Sequence, residues 1–208
     1  MLNKKHIKFE RRLIFILISL FTVLFVLSCA PAEKTVKKIE RVKAKRPRVI
    51  KPQVFYREGT EAKVGSVAPT FVAPTIKGKT VSTTNTEGKV VLLNFWSIMC
   101  GPCIKEMPYL ERLYEEFKGS GLELFSINTD QASLSKVSEF IDNRPFELSY
   151  HVLSDPDLVL TTVFTKWFVP VTILIDSKGI MRYNNTGFTK RDYEKYRKII
   201  KNLLNERK

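Results

Sequence analysis

Residues that staple or metallate small domains are scarce in this chain: its 208 residues hold three cysteines and two histidines. Three cysteines are too few for a disulfide-built scaffold. A structural zinc site needs four ligands, and beyond Cys100 and Cys103 the sequence offers only Cys29, His6 and His151, the first two in the N-terminal segment. Acidic side chains are also in deficit, 21 against 35 Lys and Arg, for a formal charge of +14. Such a balance first suggests nucleic acid. Its distribution argues otherwise: residues 61–208 carry 20 basic and 17 acidic side chains, net +3, and the other +11 lies in the first 60 residues. The body of the chain is close to neutral, and no nucleic-acid partner is expected. What is present, 44% hydrophobic and 27% charged residues without an internal repeat, is the composition of a soluble domain with a tail, which excludes a disordered or collagen-like chain.

The tail divides in two. Lys4, Lys5, Lys8, Arg11 and Arg12 precede an apolar run from Leu13 to Leu27 that ends in Ser28, Cys29 and Ala30, the layout of an export signal over residues 1–28. Fifteen helical residues rise about 22 Å, short of the roughly 30 Å hydrocarbon core. Val26-Leu27-Ser28-Cys29 resembles a bacterial lipobox, which implies cleavage before Cys29 and a lipid on its sulfur. The rival reading is an uncleaved anchor extending through Ala32. Under both, the positive flank stays inside and the bulk of the chain lies outside the cytoplasm, membrane-attached. Residues 29–60, rich in Lys, Arg, Val and Pro, bury too little to fold alone and read as a basic flexible tether.

Residues 61–208 alternate strand-like and helix-like stretches. Phe71 to Ile76, the turn Lys77-Gly78-Lys79, and Thr80 to Ser82 predict a hairpin. Val90 to Trp96 is a nearly continuous apolar run, as a strand buried on both faces requires, and Leu122 to Asn128 reads as a second buried strand. Helices are expected over Pro102 to Phe117, Leu134 to Ile141 and Leu158 to Phe164. A short strand is expected over Tyr150 to Leu153, and a second hairpin over Val171 to Asp176 and Ile180 to Tyr183. The last helix carries Tyr193, Tyr196, Ile200 and Leu203 on one stripe. Strands joined by helices and closed by a hairpin make a three-layer α/β domain.

The chemistry centres on Cys100-Gly101-Pro102-Cys103, which follows a buried strand and opens a helix. At the first turn, Cys100 meets free backbone N–H groups and the positive end of the helix dipole, which favours its thiolate and makes it the nucleophile. Cys103, one turn on along the same face, is the resolving thiol. An inert structural disulfide is a poor alternative, because so small a loop hardly constrains the unfolded chain.

Asn94-Phe95-Trp96-Ser97-Ile98-Met99-Cys100-Gly101-Pro102-Cys103, with Glu106, Met107 and Pro108, resembles the active-site segment of the TlpA/ResA-like thioredoxin-fold proteins. Val64 to Phe71 is similar to their opening strand, and Val169-Pro170-Val171-Thr172 to the loop carrying their cis-proline. The resemblance implies a thioredoxin fold with an N-terminal β-hairpin extension and a central helix-strand insertion over about Ser133 to Leu153. It also implies an extracytoplasmic thiol-disulfide oxidoreductase, usually reducing and often serving cytochrome c maturation. Glu106 is the implied proton acceptor for Cys103, since Asn94 stands where ordinary thioredoxins bury an Asp; the alternative is a solvated helix glutamate. Pro170, in cis, would turn the Val169 backbone toward a client. Trp96, Gly101, Pro102, Val169 and Phe168 are the expected substrate groove. Met99 and Phe168 depart from the pattern, where Trp and Gly are usual.

The expected activity needs no cofactor and no metal, and the expected state is a monomer. The partners implied are disulfide-bearing exported proteins and a membrane thiol carrier as electron donor, because the space outside the cytoplasm lacks a soluble reducing pool. Two alternatives remain open. A peroxide-reducing redoxin shares the opening segment, although Asn94 to Met99 lacks the Pro-x-x-x-Thr pattern that precedes a peroxidatic cysteine. A copper-handling module would hold Cu(I) on both thiolates, with His151 the one histidine available.

Overall fold

The computed structural model describes residues 51–56 and 61–207. The export signal, Cys29 and most of the basic tether lie outside the described residues. In chain order the elements are β1 (Gln53–Phe55), β2 (Thr70–Pro74), β3 (Thr80–Ser82), β4 (Val90–Trp96), α1 (Gly101–Phe117), β5 (Leu122–Asn128), α2 (Leu134–Asp142), β6 (His151–Ser154), α3 (Val159–Phe164), β7 (Val171–Ile175), β8 (Met181–Thr186) and α4 (Lys190–Asn205).

All seven residues of β4 are buried, which suits the centre of a sheet covered on both faces. The strand order is β6-β5-β4-β7-β8. β4, β5 and β6 run parallel, and α1 and α2 supply the crossovers that parallel neighbours require. β7 returns antiparallel to β4, pairing Phe95 with Val171 and Asn94 with Thr172, and β8 closes the edge.

Side-chain alternation along β4 sorts two cores. Val90, Leu92 and Trp96 point toward α1, α2 and α4, joining Met107, Leu110, Leu113, Val137, Ile141, Tyr196 and Ile200. Val91, Leu93 and Phe95 point the other way, to Phe71, Phe125, Leu160 and Phe164. Each fully buried side chain of this size contributes about 1.5–3 kcal/mol. Asn94 shares the parity of Leu92 and Trp96, so a polar group enters the α1 side of the core.

The architecture is the thioredoxin fold with its N-terminal hairpin and its inserted α2 and β6, as expected. Most expected bounds agree to within two residues, and two differences are larger. Gln53–Phe55, assigned to the tether, forms β1, antiparallel to β2 in a separate three-stranded sheet with β3. One half-buried Val54 between exposed neighbours gave no periodic signal. β8 runs on to Thr186, past Tyr183, because an edge strand can carry Arg182, Asn184 and Asn185 without burying them.

Candidate active site

Cys100 caps α1 from an extended backbone, φ −92° and ψ 99°, and its Sγ accepts the Cys103 N–H at 3.2 Å. The two sulfurs form a disulfide with a Cα–Cα separation of 5.2 Å. Exposure separates their roles: Cys100 is partly exposed, whereas Cys103 is 1% exposed. An incoming disulfide meets Cys100 first. Gly101 and Pro102 are exposed above the pair, and a side chain at Gly101 would meet open space. Of the expected groove residues, Val169 is half-buried and Phe168 is 64% exposed. Pro170 is buried beyond a cis Val169–Pro170 bond. Trp96 needs correcting: it is fully buried against Phe140, its even parity on β4 turning it into the core, so it presents no groove surface.

Glu106 is no solvated helix residue. It lies wholly inside the protein on the α1 face that carries Cys103. Asn94 Nδ2 donates to its Oε2 at 3.0 Å and the Thr172 hydroxyl to its Oε1 at 3.0 Å. Asn94 also donates to Thr172 Oγ1 at 3.2 Å, closing a triangle across β4, α1 and β7. Tyr196 of α4 flanks the carboxylate, its hydroxyl accepting from Asn185 Nδ2 at 3.1 Å. Burial pushes the Glu106 carboxyl up to about 7, against the opposing pull of the Thr172 and Asn94 hydrogen bonds. Burial likewise raises the Tyr196 phenol, which stays protonated. A carboxyl that titrates near neutrality, one turn from a buried thiol, can exchange a proton with it at physiological pH.

Three residues of this arrangement escaped sequence reasoning. Thr172 lay within the recognised loop but signalled only a strand, and Tyr196 read as core. Asp130, just beyond β5, braces the loop leading into Cys100. Its carboxylate accepts from the Ser97 hydroxyl (2.5 Å), the Ile98 N–H (2.6 Å) and Asn128 Nδ2 (2.6 Å). Ser97 in turn receives the N–H groups of Met99, on its hydroxyl, and Cys100, on its carbonyl. His151 lies elsewhere, stacked on Phe125 in the cluster on the opposite sheet face from Cys103.

A partly exposed cysteine capping a helix, disulfide-linked to a buried one on a thioredoxin fold, defines a thiol-disulfide oxidoreductase. The chain belongs to the AhpC/TSA family, whose model matches residues 64–184. It is similar to the thiol-disulfide oxidoreductase ResA of Geobacillus kaustophilus, 36% identical over 148 residues that cover 71% of this chain and 83% of the relative. ResA of Halalkalibacterium halodurans is 33% identical over 148 residues, 71% and 82% of the two chains. Among solved structures, the thioredoxin domain of a thiol-disulfide oxidoreductase from Bacteroides vulgatus matches with a TM-score of 0.57 at 27% identity, covering 66% of this chain and 98% of that one. StoA from Bacillus subtilis shares the fold with a TM-score of 0.53 at 24% identity, over 62% and 94%.

Proposed function

We propose that this oxidoreductase is a membrane-tethered reductase of disulfides in exported proteins, apocytochrome c among the candidates. The observation that carries the reading is the pairing of an accessible Cys100 with a buried Cys103 and a buried carboxyl poised near pH 7. The Cys100 thiolate attacks one sulfur of a client disulfide. The client S–S bond breaks, one client thiolate leaves, and a mixed disulfide forms. Glu106 accepts the proton of Cys103, whose thiolate attacks Cys100 Sγ and expels the second client thiolate. Two electrons pass to the client, and the Cys100–Cys103 disulfide remains. A membrane dithiol donor returns the pair to its reduced form. Asp130 holds the loop that aims Cys100, and Val169, Phe168, Gly101 and Pro102 border the client's path.

The basic, apolar and Ser28-Cys29 sequence at the N-terminus supports attachment through a lipidated Cys29, with the domain outside the cytoplasm. The test is a Cys103→Ala variant expressed at full length. Mixed disulfides at Cys100 then persist, and mass spectrometry of the membrane fraction should find exported cysteine-containing proteins on Cys100 and a lipid on an N-terminal Cys29. Trapping of cytoplasmic proteins alone would refute the location. An intact Met1 terminus would replace lipidation with an uncleaved anchor.

A further inference from the structure

The loop from α3 to β7 displays two large aromatic side chains where water should disfavour them. Trp167 is 63% exposed and Phe168 64%, and Met99, beside Cys100, is 89% exposed. Solvent-exposed apolar side chains scattered singly need no explanation, but Trp167 and Phe168 are consecutive just before Val169 and the cis-proline, and Met99 directly precedes Cys100. Trp167 and Val169 line a hollow with Thr129, Asp130 and Gln131, and Asp130 is the residue that binds Ser97 and Ile98 in the loop carrying Met99 to Cys100. Phe168 borders a second hollow with Val163, Phe164 and Val171.

The display is built, and it is strained. Trp167 holds a left-handed backbone, φ 67°, which a bulky residue rarely adopts because its side chain crowds the carbonyl there. Among the described residues only Gln131 and Leu158 are non-glycine residues that share this region of φ, and both line the same hollow as Trp167. A ladder of polar contacts supports the conformation. The Trp167 N–H donates to the Thr165 hydroxyl at 3.2 Å, that hydroxyl donates to the Thr161 carbonyl at 3.0 Å, and the Thr161 N–H and hydroxyl both donate to the buried Asp155 carboxylate at 2.7 and 2.8 Å. Strain sustained by a dedicated scaffold, at a site where apolar surface is also exposed, argues for function over accident.

We infer that Trp167, Phe168 and Met99 form a clamp that selects client cysteines flanked by large apolar side chains. The inference rests on the reductase reading and specifies its substrate class. The occupant follows from the chemistry: a client sulfur must come within bonding distance of Cys100, so the residues beside that client cysteine lie along Val169 and against the three apolar side chains. An extended segment sends alternate side chains to opposite sides, and alternate residues of the Trp167-Phe168-Val169 strip line separate hollows, Trp167 and Val169 one and Phe168 the other. Apolar neighbours desolvate all three residues; charged or small neighbours do not.

The test uses the reduced, full-length protein in detergent and two peptides closed by the same intramolecular disulfide, one with Leu and Phe beside the cysteines, the other with Ser. The clamp predicts that the parent reduces the apolar peptide at least about tenfold faster. Trp167→Asn with Phe168→Ser should bring the ratio to within about twofold of one, asparagine being chosen because it tolerates the left-handed backbone. Met99→Ser, on the opposite loop, should lower the ratio on its own, and Tyr56→Ser, an equally exposed aromatic just after β1, should keep the parent's ratio. A parent that reduces both peptides equally, or a double variant that keeps the parent's preference, overturns the clamp and leaves the reductase reading standing. A parent that reduces neither peptide overturns both.

Discussion

Replacing Glu106 by glutamine should remove a specific pH dependence of stability. The native carboxyl titrates at about 7 against an ordinary value of 4.5. Below that ordinary value the group is protonated in both folded and unfolded chains, and ionisation contributes nothing. Between about 4.5 and 7 the unfolded chain gives up its proton while the native state keeps it, so stability falls as pH rises; above about 7 the native group is ionised too and the loss is complete. A shift of this size, at 1.36 kcal/mol per unit, corresponds to about 3 kcal/mol. Glutamine fills the same space and still accepts from Asn94, while its amide nitrogen faces a Thr172 hydroxyl that loses its acceptor; that cost does not vary with pH, so the difference between variant and parent across the pH range isolates the titration. Urea unfolding of the oxidised parent and Glu106→Gln across pH 4 to 8 is the assay. The variant should gain on the parent by about 3 kcal/mol from the acid to the alkaline end. Parallel curves would show that the native carboxyl titrates as it does in water, and the proton-transfer role would fall with them.

Other consequences follow from the same geometry. Thr172→Val removes a donor to the ionised form of Glu106, so the pH dependence of Cys103-limited turnover should move in the alkaline direction, by on the order of one unit, in stopped-flow reduction of a protein disulfide. Asp130→Ala leaves the Ile98 N–H and the Ser97 hydroxyl without their acceptor; it should destabilise the fold by about 2 kcal/mol in urea and slow attack by Cys100. Glu111→Gln, further along α1 where the carboxylate accepts the exposed Ser149 N–H, should leave the pH profile of turnover unchanged.

Periodicity made most of the fold legible because the central strands are buried: Val90 to Trp96 carries one polar residue, Asn94, and the observed bounds of it and of Leu122 to Asn128 coincide with the expected strands. The cysteine pair was legible for a different reason, its place between a strand and a helix. What stayed hidden depends on contacts between distant segments. Asp130 joins a loop more than 30 residues away in sequence. The burial of Glu106 results from three other elements closing over α1, and a helical glutamate alone gives no hint of them. Trp96 ends a run that reads as a buried strand, and only its place in the cysteine motif put it in the expected groove, where full burial rules it out. Backbone conformation at Trp167 leaves no mark in a bulky side chain.

A dithiol that donates electrons to client disulfides must hold a low potential, and redox titration of Cys100–Cys103 measures it. Gly101-Pro102 between the cysteines resembles reducing thioredoxins, and equilibration of the full-length protein against defined thiol-disulfide buffers should give a midpoint nearer about −270 mV than the roughly −120 mV of strong oxidants. A midpoint above about −180 mV, the isomerase range, would contradict the assignment as a reductase.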